Sequence, residues 1–100
     1  MATYILLGNF TEQGIRNIKD TTKRADAMCA AAKKMGITVK DVYWTLGQYD
    51  IAVVYDAPND ETMTALALHI GAQGNVRTQI LPAFTEKEIG PIVAKAGKKK

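Results

Sequence analysis

The spacing of apolar residues changes period several times along this chain, and each change marks an element. Residues 3–8, TYILLG, are β-branched, aromatic or aliphatic up to a closing glycine, which predicts a first strand. Thr11 is then placed to cap a short helical turn with Ile15 and Ile18 on one side, and Asp20, Thr21 and Thr22 form a second capping cluster. Ala25, Met28, Cys29, Ala32 and Met35 recur at three- and four-residue spacing, as one apolar stripe of a helix does. Lys33 and Lys34 suit the negative end of that helix dipole, and Gly36 suits the cap beyond it. One helix broken near Asp20, or two abutting helices, accounts for this stretch.

A period of two returns at residues 39–46 and 49–56. With Gly47-Gln48 as a two-residue loop, the glycine at the first central position favours a type II′ hairpin turn. The register then sets Leu46 opposite Tyr49, Trp44 opposite Ile51 and Val42 opposite Val53, an apolar row extended by Tyr55. The other side carries Tyr43, Thr45, Asp50, Ala52, Val54 and Asp56, and a slip of one residue would move Asp50 into the apolar row. Pro58 ends the third strand, and Asn59 or Asp60 caps a helix whose stripe is Met63, Leu66, Ala67 and Ile70. Gly71, Gly74 and Asn75 close it. A fourth strand over residues 76–81 leads through Pro82 to a helix from Thr85, with Glu88 as its reciprocal cap.

The order β-α-β-β-α-β followed by a helix predicts an α+β, ferredoxin-like antiparallel sheet with both main helices on one face. Residues 1–90 make a single domain, and residues 91–100 the end of a helix and a lysine-rich, flexible tail. The first strand is apolar at both parities, with Tyr4 and Leu6 against Ile5 and Leu7, and the second face of the hairpin holds Tyr43, Ala52 and Val54. A sheet apolar on both sides needs a second cover. A second copy, sheet against sheet, supplies it as a dimeric α+β barrel; the closing helix over residues 85–95 is the alternative within one chain.

Composition narrows the partners. The net charge of +3 comes from Lys95, Lys98, Lys99 and Lys100, because without them nine basic residues face ten acidic ones. The body is therefore near neutral, and nucleic acid is not expected as a partner except through the tail. No apolar run is long enough to span a membrane, and the N-terminal YILL reads as a strand and not a signal peptide. A single cysteine, Cys29, allows no intramolecular disulfide and no Cys-based zinc cluster, so a cytoplasmic setting is the default and Cys29 reads as a small core residue.

The candidate ligand-binding residues are Tyr4, Trp44, Tyr49, Asp50, His69 and Arg77. The aromatic side chains offer stacking surfaces, Arg77 an anion handle beside Gln79 and Leu81, and Asp50 an acceptor for turn amides or a polar group at a cavity mouth. His69, the only histidine, lies off the centre of its helix's stripe. No nucleophile–base pair, phosphate loop or metal-spaced cluster occurs, so no catalytic or metal-ligating residue is assigned and the cofactor is left unknown.

Gly47-x-Tyr49-Asp50 resembles the Gly-x-Tyr-Asp signature of the bacterial GYD domain. The similarity extends to TEQGIRNIKD (residues 11–20), Arg24, Pro58, GNVRTQ (74–79) and AFTEKE (83–88), and so covers residues 3–89. The resemblance implies a small stand-alone ferredoxin-like domain related to the dimeric α+β barrels, and it supplies no catalytic residues. Two functions follow as expectations. One is a small-molecule-binding or regulatory homodimer without catalysis; the other is a cofactor-independent oxygenase or isomerase with a cavity lined by tyrosines, Trp44 and His69.

Overall fold

β1 (Ala2–Phe10) is the strand around which the others order themselves, and it is longer than its sequence pattern implies because Gly8 lies inside it. The computed structural model describes residues 1–97. After β1 come α1 (Glu12–Arg16), a 3₁₀ turn (Ile18–Asp20), α2 (Thr21–Lys34), β2 (Thr38–Trp44), β3 (Ile51–Ala57), α3 (Asp60–Ala72), β4 (Val76–Ala83) and α4 (Glu86–Ala96). The sheet order is β2-β3-β1-β4 with every neighbouring pair antiparallel, so the chain is an α+β, ferredoxin-like domain with α2 and α3 on one face.

Most helix boundaries follow from local chemistry. The Thr11 hydroxyl accepts from the Gly14 amide, and Asn59 accepts from the Thr62 amide at 2.8 Å. Thr85 and Glu88 form a capping box at α4. Beyond α2, Gly36 at φ 79° lets its own amide reach Lys33 O and the Ile37 amide reach Ala32 O, which satisfies two orphan carbonyls and turns the chain into β2. Asp20 stands at the start of α2 but makes no side-chain cap, and Ile15 and Ile18 are exposed, so the expected second capping cluster and apolar turn are both corrected. In β2 the register shifts between Val39 and Asp41, which leaves Lys40 as a bulge. Pro82 continues β4 instead of ending it, as a proline at a sheet edge can.

The core lies between the sheet and the two helices. Tyr4, Leu6, Val53, Tyr55 and Ala57 of the strands meet Ala32, Ile37, Met63 and Leu66. Burying side chains such as Met63 and Leu66 stabilises the fold by about 1.5–3 kcal/mol each. Tyr55, fully buried, donates its hydroxyl to the Met28 sulfur at 3.2 Å, and burial, with a smaller effect from Cys29, raises its pKa well above the ordinary value of 10.0.

Among the described residues, no element covers the opposite face of the sheet. Ile5, Leu7, Ala52, Val54 and Leu81 point there by register and are only partly buried. α4 does not close over it: the helix makes almost no contact with other elements, and the molecule measures 55 Å along one axis against 19 Å along another. Lys95 belongs to α4, whereas the rest of the expected lysine tail, residues 98–100, lies outside the described residues.

Two outcomes are expected. A Cβ on Gly14 would stand 2.1 Å from Asn75 O, a backbone atom, whereas a Cβ on Gly71 meets nothing within 4 Å. Chemical denaturation should therefore show Gly14→Ala destabilised by about 1–3 kcal/mol and Gly71→Ala unchanged or up to about 1 kcal/mol more stable. Native Tyr55 keeps its proton above pH 10 while the unfolded chain releases it. Stability is thus fully present below pH 10 and falls above it, by at most about 1.4 kcal/mol per pH unit for this group. Tyr55→Phe should flatten that alkaline slope in denaturation curves measured between pH 9 and 11.

Candidate functional site

The Gly47–Asp50 segment is not a two-residue hairpin. β2 ends at Trp44 and β3 begins at Ile51, so residues 45–50 form a wider loop; Trp44 still faces Ile51 and Val42 still faces Val53, but Leu46 and Tyr49 do not pair. The reason lies in β1. The Asp50 amide donates to Gly8 O at 2.8 Å, and the Asp50 carboxylate accepts the Phe10 amide at 3.0 Å. Asp50 is thus held on the central strand by its own amide and its carboxylate, while its carbonyl also accepts the Thr45 amide of the loop at 2.8 Å, a turn amide of the kind its sequence position implies. Thr45 closes the loop by donating its hydroxyl to Tyr49 O at 2.6 Å, and Gly47 takes φ 116°, which side chains disfavour. Leu46 stands fully exposed instead of joining the apolar row. Tyr49 swings to the open face, where its hydroxyl meets Gln79 Oε1 at 3.1 Å.

On the helix face, α2 and α3 part over the sheet and leave a cavity of about 70 Å³. Its floor is apolar, made by Leu6, Val53, Tyr55, Met28 and Ile70. Its rim is polar. Trp44 donates its indole N–H to the Thr21 hydroxyl at 3.0 Å on one side. Across from α2, the Gln73 amide nitrogen lies 3.2 Å from His69 Nε2, and Asn75 completes that wall. Arg24 of α2 also lines the cavity; its guanidinium donates to Asn17 O at 2.7 Å and Gly14 O at 3.3 Å, the carbonyls that α1 leaves open. Arg24 makes no ion pair among the described residues.

The α3–β4 side of the rim is fixed by β1's exit. The Thr11 amide donates to Asn75 O at 3.0 Å, the Thr11 hydroxyl to Gly74 O at 2.6 Å, and the Gln13 amide to Gln73 O and Asn75 Oδ1 at 3.0 Å each. The close approach that these bonds demand is possible because residue 14 has no side chain.

Of the six candidates, only Trp44 and His69 come together at this cavity. Tyr4 is buried elsewhere: its hydroxyl donates to Asp60 Oδ1 at the start of α3, and that bond, with burial and the charges of Asp60 and Glu61, raises its pKa. Asp50 is engaged with β1. Tyr49 and Arg77 lie on the open face, Arg77 exposed opposite Asn9. Tyr49 and His69 therefore stand on opposite sides of the sheet and cannot act on one small molecule within a protomer. Tyr55, one of the aromatic residues of the hairpin's apolar row, lies in the cavity floor, whereas Arg24, Gln73 and Asn75 are site residues that the sequence pattern does not single out. The available signal was Arg24 itself, a cation four residues before Met28 on an otherwise apolar helical stripe. Gln73 and Asn75 gave none, since a helix end rich in glycine reads as a turn.

Among the described residues, no group of three or more His, Cys, Asp or Glu is placed to hold a metal ion, and no helix is long and apolar enough to cross a membrane. Cys29 is a free thiol whose pKa burial raises, with Asp26 adding to the effect.

Comparison with known proteins bears on the fold and the family. The crystal structure of TTHA0845 from Thermus thermophilus superposes with a TM-score of 0.56, covering 85% of this chain and 95% of that one at 23% identity. At that identity the likeness speaks for the fold. No curated protein matches the chain. The model of the GYD domain matches residues 4–93, a span that includes the Gly47–Asp50 loop, α1 and most of α4. The chain belongs to the GYD domain family.

Proposed function

We propose that this protein is a small-molecule-binding homodimer in which the two faces of the sheet have separate tasks: the helix face holds a ligand and the open face holds a second copy. The observation that carries the first part is the cavity between α2 and α3, an apolar floor under a rim of hydrogen-bonding side chains. That combination is the usual composition of a small-molecule site, where apolar walls supply affinity and a few polar groups set orientation. The binding role is a regulatory or carrier one. The catalytic alternative draws on tyrosines, Trp44 and His69 acting together. Tyr55, Trp44 and His69 do share the cavity, but Tyr49 lies on the other face of the sheet and the Tyr55 hydroxyl is directed at the Met28 sulfur, so the geometry favours binding. A cytoplasmic setting is in keeping with a free cysteine.

The open face supports the second part. Its centre is apolar, with Ile5, Leu7, Ala52, Val54 and Leu81. Polar groups surround it: Lys40 reaches Asp56 at 3.6 Å and Thr3 donates to Asp56 at one end, while Arg77, Gln79 and Tyr49 stand at the other. An apolar centre with a polar rim is the build of a protein interface. A copy of the same face is a self-complementary occupant, and a two-fold axis closes the assembly. α4 fits the same occupant. It leaves the domain at the end of β4, an edge strand, with Ile89, Ile92 and Val93 on one stripe, Val93 most exposed, and almost no contact with the other described elements.

Native mass spectrometry of freshly purified protein reads both parts. The expected species has twice the 10.9 kDa of one chain and carries retained mass that is lost on harsher activation. Val93→Lys should shift the assembly toward monomer, since a charge enters an apolar contact. A wild-type protein that is monomeric and empty at micromolar concentration would contradict the proposal.

A further inference from the structure

The cavity's charge and size narrow what it accepts. Resting on the reading of this cavity as a small-molecule site, we infer that it takes a short-chain aliphatic monocarboxylate, tail inward and carboxylate at Arg24. The ionisable side chains that line it are Arg24, His69 and Tyr55, and no carboxylate is among the lining residues. Arg24 is half-buried and makes no ion pair among the described residues, because its two bonds go to the neutral carbonyls of Gly14 and Asn17. Those bonds also fix the direction of the guanidinium and leave N–H donors over for a ligand. A fixed guanidinium at the mouth of an apolar space favours an anion with a planar head, and disfavours a cation of the same shape.

The interior sets the other half of the ligand. Leu6, Met28, Val53 and Ile70 present only carbon and sulfur, and the one polar atom at depth, the Tyr55 hydroxyl, is already directed at the Met28 sulfur. A tail with strong hydrogen-bonding groups would lose its water there without replacement. The size of the space favours a short tail: an enclosed dry cavity of about 150 Å³ accepts benzene, and the 70 Å³ here, open toward the rim, suits about three or four carbons. Di- and tricarboxylates do not fit this description, since the second charge would have to enter the apolar floor. Trp44 at the rim is the chain's only tryptophan, so its emission reports on occupancy.

The test needs only the wild-type protein and three probes of one shape: sodium butyrate, butyramide and butylammonium chloride, at matched ionic strength, followed by Trp44 fluorescence and by thermal melting. Butyrate should bind about ten-fold or more tighter than butyramide, and butylammonium weakest of the three. Arg24→Gln should bring butyrate and butyramide level; because that change also frees two α1 carbonyls, Arg24→Lys serves beside it, keeping the charge and most of the preference. Equal binding of butyrate and butyramide to the wild type would overturn the anion assignment and leave the cavity a small-molecule site. No response to any of the three would overturn this inference and, if native mass spectra also show no retained mass, the reading of the cavity itself.

Discussion

The hydrogen bond from the Phe10 amide to the Asp50 carboxylate sits where the central strand leaves the sheet, and much of the molecule is arranged by it. β1 is bonded on both sides, by β3 and by β4, and at its exit its backbone groups need new partners. Asp50 supplies two of them, taking the Phe10 amide and giving its own amide to Gly8 O; Asn75 O takes the next amide, that of Thr11. Each such bond is worth only about 0.5–3 kcal/mol, but losing a partner leaves a strand end open in the middle of the sheet. The family signature gains a physical meaning from this. Gly47 provides φ 116°, Tyr49 reaches Gln79, and Asp50 holds β1.

Several consequences follow from that one attachment. Because Asp50 is committed to β1, β3 starts at Ile51 and the loop before it opens, which leaves Trp44 as the last residue of β2, over the cavity. The same loop carries Tyr49 to the other face. Beyond Phe10 the chain turns into α1, whose Thr11 and Gln13 secure Gly74, Asn75 and Gln73, and whose open carbonyls hold Arg24. The Arg24 and the Gln73–Asn75 parts of the cavity rim are thus tied to the exit of β1, while Trp44 on Thr21 and His69 beside Gln73 complete it.

The elements were legible in the sequence because they rest on local chemistry. Caps at Thr11, Asn59 and Thr85 and the positive-φ glycine after α2 are short-range devices, and the two apolar stripes of α2 and α3 are periodic. The pairing of Trp44 with Ile51 and Val42 with Val53 was legible too, since only that register keeps Asp50 out of the apolar row. The loop between them was not. Its shape depends on a strand forty residues earlier in the chain, and a glycine-led dipeptide between two strands looks the same whether or not a distant amide competes for the aspartate. The site was legible in part: aromatic and histidine positions named Trp44 and His69, but Tyr49 and Arg77 were assigned without knowing which face they share. Arg24 escaped because a charge on a helix reads as solvated until the fold shows that its neighbours are carbonyls and a cavity.

The central claim is that the two faces of one sheet serve different partners, and amide-resolved NMR tests it most directly. Two series of ¹H–¹⁵N spectra suffice, one over a dilution range and one with added butyrate. The account predicts that dilution moves the resonances of Leu7, Val54, Leu81 and Ile92, while butyrate moves the Trp44 indole and the amides of Arg24, His69 and Gln73. Butyrate shifts confined to the open face, or dilution shifts confined to the cavity rim, would contradict it.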